Sequence, residues 1–306
     1  MFTNNIITLA TLLKRAKIPA TSVNLIRDCQ LSHIAKVPTR VTRKVVPCCT
    51  SNHLEDAIET TQVVGVIVPE QLAQHVPAHL GLAVSSDPIA TTNHLHRTLC
   101  EDATFHWESF ESTIDSSAQI HPTAYVSPKD VVIGCNSVIH AGAIILPRTV
   151  IGDHSSIGCG TVVGTEAFEV DNTVSPQKIL SQAGGVSIGD HVDIQAKCTI
   201  VRATFGGFTV IGNESKFDCQ IHLAHDCRIG ERVRIAACAG ISGRVTIGND
   251  TFIGPNCSIS NGVFIGEKSH ITIGAVVVKD VGDAKRVSGN FAVAHQKFIS
   301  HIKAIR

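Results

Sequence analysis

From Ile114 onward an aliphatic residue returns at every sixth position. The series runs Ile114, Ile120 and Val126, then after one extra residue Ile133, Ile139, Ile145, Ile151, Ile157 and Val163. It resumes at Ile188, Ile194 and Ile200. From Ile211 it passes without a break through Phe217, Leu223, Ile229, Ile235, Ile241, Ile247, Ile253, Ile259, Ile265 and Ile271 to Val277. Glycine follows many of these residues, and a small or β-branched residue stands four positions on. No helix face has a period of six, and ordinary hairpins are not this regular. The pattern fits a solenoid in which six residues form one flat side of a triangular coil, with eighteen to the coil and about eight coils in all. The aliphatic side chain then points inward. Gly or Asn is expected at the corners, whose conformations cost other residues energy.

Two stretches leave the repeat and return to it, residues 165–187 and 201–210. Loops thrown out of a rigid solenoid tend to line a site. Glu166 and Phe168 on the longer loop are therefore candidate substrate contacts.

Residues 1–103 read as a small α/β domain. Thr8–Lys17 and Thr91–Leu99 have helical spacing, Val63–Val68 and Leu80–Val84 are apolar runs suited to buried strands, and a short helix opens at Pro69. Strand and helix alternate there as in a parallel sheet with crossovers. Residues 104–113 are a linker carrying Trp107, and 114–282 are the solenoid. Residues 283–306 close the chain with an amphipathic helix, Lys297, Lys303 and Arg306 outward, expected to cap the solenoid end.

Composition narrows the function. With 26 basic and 26 acidic residues, no electrostatic case exists for nucleic acid or an anionic membrane. No apolar run approaches the ~18 residues of a membrane span, and the N-terminus lacks a signal peptide's charged start and cleavage site. A cytoplasmic protein is expected. Eleven cysteines without a CxxC pair, several at one repeat position (Cys198, Cys227, Cys257), read as reduced core residues. No spacing supports a metal.

The chemistry points to Gln220–Gly230, where His222 and His225 stand three residues apart. One coil above His225, eighteen residues on, is Gly243. A histidine beneath a glycine puts a base beside an exposed backbone N–H, the pair that acyl transfer requires. An imidazole titrates near neutrality, so it can serve as that base. Asp218 and Asp226 both stand near enough in sequence to orient the ring. The same spacing also suits a plain surface pair of histidines on a solenoid face.

The Ile-Gly sixfold repeat, together with His222-Leu-Ala-His-Asp-Cys227, resembles the hexapeptide-repeat acyltransferases, and most of all the UDP-3-O-acylglucosamine N-acyltransferases of lipid A synthesis. The resemblance covers nearly the whole chain. It implies a mainly β fold, a left-handed parallel β-helix with a small N-terminal α/β domain and a short C-terminal helix. It also implies a homotrimer with sites between neighbouring solenoids. It matches His225 to the catalytic base, Asp218 to a conserved acid and Gly243 to the oxyanion donor. His222, Gln220, Arg244 and Asn261 are further candidate substrate contacts. Three features depart from that family. Asn261-Gly-Val263 lacks a second functional histidine, Val46–Leu54 lacks the aromatics that stack a uracil, and the C-terminal segment is shorter. The expectation is an N-acyltransferase for surface polysaccharide such as O-antigen. It would move a short acyl or hydroxyacyl group from acyl-CoA to the amine of a dTDP- or UDP-linked amino sugar. The alternatives are the lipid A enzyme itself, with an acyl carrier protein as donor, and a non-catalytic β-helix that binds a partner.

Overall fold

The protein is described from a computed structural model that covers Thr3, residues 5–289 and residues 291–305. Because every sixth residue is aliphatic, the chain can bury one row of side chains only by turning a corner after each short strand. It does so throughout the solenoid. Three parallel sheets of eight, eight and nine strands form the three faces. Strands pair at a step of one coil: His222–Leu223 with Gly240–Ile241, and that strand with Ser258–Ile259. The inward residues, from Ile133 to Val277, merge into one continuous core with the buried, unpaired Cys198, Cys227 and Cys257 among them.

The corners differ from the sequence expectation. Their left-handed backbone is carried mostly by residues other than Gly and Asn: His154, Arg232 and Asp250 have φ of 55°, 53° and 60°. The glycines that follow isoleucine serve a different need. A Cβ on Gly134 would fall 2.2 Å from Asp153 Oδ1 and 2.7 Å from the Gly152 carbonyl carbon, so glycine there lets one coil lie close on the next.

Both excursions leave the ladder in register. The sheet passes from Thr149 directly to Val186, and the intervening chain folds a small hairpin, Val170–Asp171 against Lys178–Ile179. It then passes from Val186 to Thr209 across the shorter loop.

The N-terminal part is a five-stranded sheet in the order Val23–Arg27, Gly81–Ser85, Val63–Val68, Lys44–Pro47, His33–Ile34. All neighbours are parallel except the first pair. Leu9, Leu12, Leu95 and Leu99 of the helices Leu9–Arg15 and Pro88–Glu101 pack on one face, and Leu54 of the helix Ser51–Glu59 packs on the other. Thr8, Thr50 and Asp87 cap these helices by accepting from backbone N–H groups three residues on.

Solenoid and sheet meet through a built joint. Ala35 and Val41 pack with Leu180 and Phe205. Asn93 donates to Asp171 at 2.9 Å, and His96 Nε2 lies 2.8 Å from the Ser181 carbonyl. His33 and His106 stack with centroids 5.3 Å apart. Trp107 is buried against Phe208 and the Arg148 guanidinium. Burial pushes the imidazole pKa values down, to about 4 for His33 and about 2 for His106.

The terminal helix His295–Ala304 buries no residue, and Phe291, Val293, Phe298 and Ile305 are half or more exposed. The expected cap over the solenoid end is therefore not made within one chain. Lys297 and Lys303 are exposed, and Arg306 lies outside the described residues. Among the described residues no helix is long and apolar enough to cross a membrane.

Candidate active site

Leu223 fills the solenoid core, and two residues later His225 stands at the next corner. Asp226 makes the turn with φ +59, a conformation that Asp tolerates better than most residues. The turn folds its carboxylate back on the ring, and Nδ1 of His225 lies 2.8 Å from Asp226 Oδ2. Thr209 Oγ1 accepts from the Asp226 amide at 2.9 Å and fixes the corner. A neutral imidazole that donates Nδ1–H to this carboxylate presents Nε2 as an acceptor.

Gly243 lies directly over that nitrogen. A Cβ on it would fall 2.6 Å from both Cε1 and Nε2 of His225, and 3.0 Å from Asn261 Nδ2. The ring occupies space that only a glycine leaves open. Among the described residues the Gly243 N–H has no acceptor. Base and free donor open into a cleft of about 500 Å³ lined by Glu166, Phe168, His222, His225, Ser242 and Gly243. Phe168 is 89% exposed at its rim. Burial, and the neighbouring His225 after it, lowers the His222 pKa.

One residue was not singled out by the sequence. Glu169 places Oε2 3.4 Å from Nε2 of His225. The same carboxylate accepts from Arg244 Nη2 at 2.7 Å and from Lys36 Nζ at 2.5 Å. Burial alone would push the Glu169 pKa up, but the Arg244 guanidinium and the Lys36 ammonium outweigh it and hold it at about 2. No spacing rule could have found this residue, since Lys36 comes from the N-terminal sheet and Glu169 from the inserted loop.

An oriented base, a free backbone N–H beside it and an open cleft are the parts of an acyl-transfer site. Comparison with known proteins points the same way. The family of the bacterial transferase hexapeptide (six repeats) matches residues 130–165 and 208–243. The chain is 28% identical over 242 residues to a UDP-3-O-acylglucosamine N-acyltransferase of Coxiella burnetii, covering 71% of this chain and 69% of that protein. To the protein of the same name from Pseudomonas paraeruginosa it is 45% identical over 93 residues, 30% of this chain and 26% of that one. Among solved structures it is similar to LpxA from Acinetobacter baumannii, with 26% identity and a TM-score of 0.53 over 64% of this chain and 73% of that one. It is also similar to a UDP-N-acetylglucosamine acyltransferase from Campylobacter jejuni, with 28% identity and a TM-score of 0.51 over 64% and 81%. The chain carries hexapeptide repeats and is an acyltransferase.

The solenoid of this acyltransferase is thus a left-handed parallel β-helix. Its geometry changes the assignments made for several residues. The acid at the His225 ring is Asp226. Asp218 lies one corner earlier, where Oδ1 accepts from the Cys219 amide at 2.7 Å and Oδ2 from the Ala237 amide at 3.2 Å. It lines a separate groove with His140, Lys216 and Arg234. Gln220 sits exposed at that corner too, with Oε1 3.2 Å from Cys238 Sγ. Arg244 is turned inward onto Glu169 and over the Phe205 ring, so its charge is already engaged. Glu166, Phe168, His222, His225 and Gly243 share one cleft, and Asn261 stacks above Gly243.

Proposed function

We propose that this acyltransferase moves an acyl group from a thioester to the amine of a UDP-linked amino sugar. The supporting observation is Nε2 of His225, oriented by Asp226 and lying beneath Gly243, whose N–H meets no acceptor among the described residues. The sugar amine gives a proton to Nε2 as its lone pair attacks the thioester carbon. The Gly243 N–H holds the oxyanion. The carbon–sulfur bond then breaks, and the departing thiolate takes the proton from His225. The acceptor class draws on the relatives, which are named for UDP-3-O-acylglucosamine and UDP-N-acetylglucosamine. A dTDP-linked amino sugar for O-antigen is the finer variant to test beside it.

The donor in this reading is an acyl-CoA. A carrier-protein thioester is the second reading. The exposed apolar face and the two lysines of the helix His295–Ala304 favour it, because that segment engages the carrier protein in the family this chain resembles. A homotrimer would set the cleft against a neighbouring solenoid. The test is thiol release from CoA and carrier-protein thioesters, with UDP- and dTDP-linked amino sugars as acceptors. Turnover is expected with an amine acceptor, and His225→Ala should lower it by roughly 10²–10⁴-fold. Normal turnover in that variant would remove His225 from the chemistry.

A further inference from the structure

Nε2 of His225 and Oε2 of Glu169 face each other across 3.4 Å. With the Nδ1 hydrogen given to Asp226, both are acceptors. Among the described residues no donor bridges them. Glu169 is held in place from two sides, by Arg244 of the solenoid and Lys36 of the N-terminal sheet. The formal charges of Glu169 and Asp226 cancel those of Lys36 and Arg244, so this cluster of four around the ring has no net charge to be answered by an ammonium. The gap suits a neutral donor with two hydrogens on one atom.

A neutral primary amine is that donor. One N–H points to Nε2, the second to Oε2, and the lone pair is left for the thioester carbon beside Gly243. The first hydrogen passes to His225 and leaves on the thiol. The second stays on nitrogen and becomes the N–H of the product amide. A hydroxyl has one hydrogen only. If it serves His225, it turns an oxygen lone pair against the Glu169 carboxylate. We propose that Glu169 selects an amine over a hydroxyl by accepting the acceptor's second N–H. The inference rests on the amine acceptor proposed above.

Two acceptors that differ in a single group test it: UDP-glucosamine and UDP-glucose, each with and without a 3-O-acyl chain. Initial rates are read with the best donor, and affinities by calorimetry without donor. The wild type should prefer the amine. Glu169→Gln keeps the size of the side chain but presents an N–H where the carboxylate was. It should lose rate on the amine and gain on the hydroxyl, so that selectivity falls roughly 10- to 100-fold, the range for a hydrogen bond to a charged group. Lys36→Arg keeps the charge and the tie to the N-terminal sheet and should keep the wild-type ratio. If Glu169→Gln lowers both acceptors alike, or Lys36→Arg reproduces its change in ratio, Glu169 acts only as a tether. A selective wild type with an unchanged ratio in Glu169→Gln overturns Glu169 alone. A wild type that acylates UDP-glucose as readily as UDP-glucosamine overturns the amine reading as well.

Discussion

The site depends on a few atoms for which the chain leaves no slack. Gly243→Ala would drive a methyl group to 2.6 Å from the His225 ring, so the ring or the corner must move. A fall in kcat of about 10²-fold or more is expected, as when an oxyanion donor is lost. Gly240→Ala, by contrast, meets nothing within 4 Å, and its melting temperature should match wild type. Asp226→Asn keeps the corner but weakens its hold on the Nδ1 hydrogen, and should also cost about 10²-fold or more in kcat. Asp218→Ala should instead act on stability, because it strands the amides of Cys219 and Ala237, at about 1–3 kcal/mol each if buried without a partner. Thermal melts beside steady-state rates separate the two aspartates. Gly243 was legible in the sequence because its relation to His225 is one turn of a fixed repeat. The choice between Asp218 and Asp226 was not, since both flank His225 and only the direction of the corner separates them. Glu169 was invisible because its position depends on a loop outside the repeat and a lysine 133 residues away.

Among the elements, the solenoid strands could be read individually, since each inward residue pairs with its own equivalent one coil away. The N-terminal sheet was read in part. The strands Val63–Val68 and Gly81–Ser85 are apolar runs, but Val23–Arg27 carries asparagine and arginine, and Lys44–Pro47 begins with a buried lysine. The helix Ser51–Glu59 hides because most of its surface is polar and exposed. The terminal helix was legible as a helix but not in its packing. Its apolar face has no partner among the described residues, so removal of residues 291–306 should leave the thermal unfolding of the monomeric unit unchanged. If that truncation lowers the melting temperature only under conditions where the wild type self-associates, the face is covered by another copy.

For the whole molecule, the joint between sheet and solenoid should be sensitive to acid. His33 and His106 are buried there with pKa values depressed to about 4 and about 2, and burial lowers His96 as well. An unfolded chain binds protons at these histidines near pH 6.5, whereas the folded joint does not. Their contribution is therefore fully present above about pH 6.5 and is lost as the pH falls, towards 4 for His33 and towards 2 for His106. For His33 alone this is on the order of 3 kcal/mol. Denaturant melts across that window should show stability rising with pH, and His33→Gln should flatten the slope. Finally, the ladder that joins Ile241 to Ile259 and Ile259 to Val277 makes the length of this protein a quantised property. A deletion or insertion of eighteen residues returns every side chain to its own face. Six or twelve would keep the aliphatic row inward but carry each residue to another face, and within the ladder a number that is not a multiple of six breaks that row. Length can drift freely only in the two loops, and one of them carries Glu169. The part of the chain that is free to change size is thus the part whose Glu166 and Phe168 line the candidate cleft.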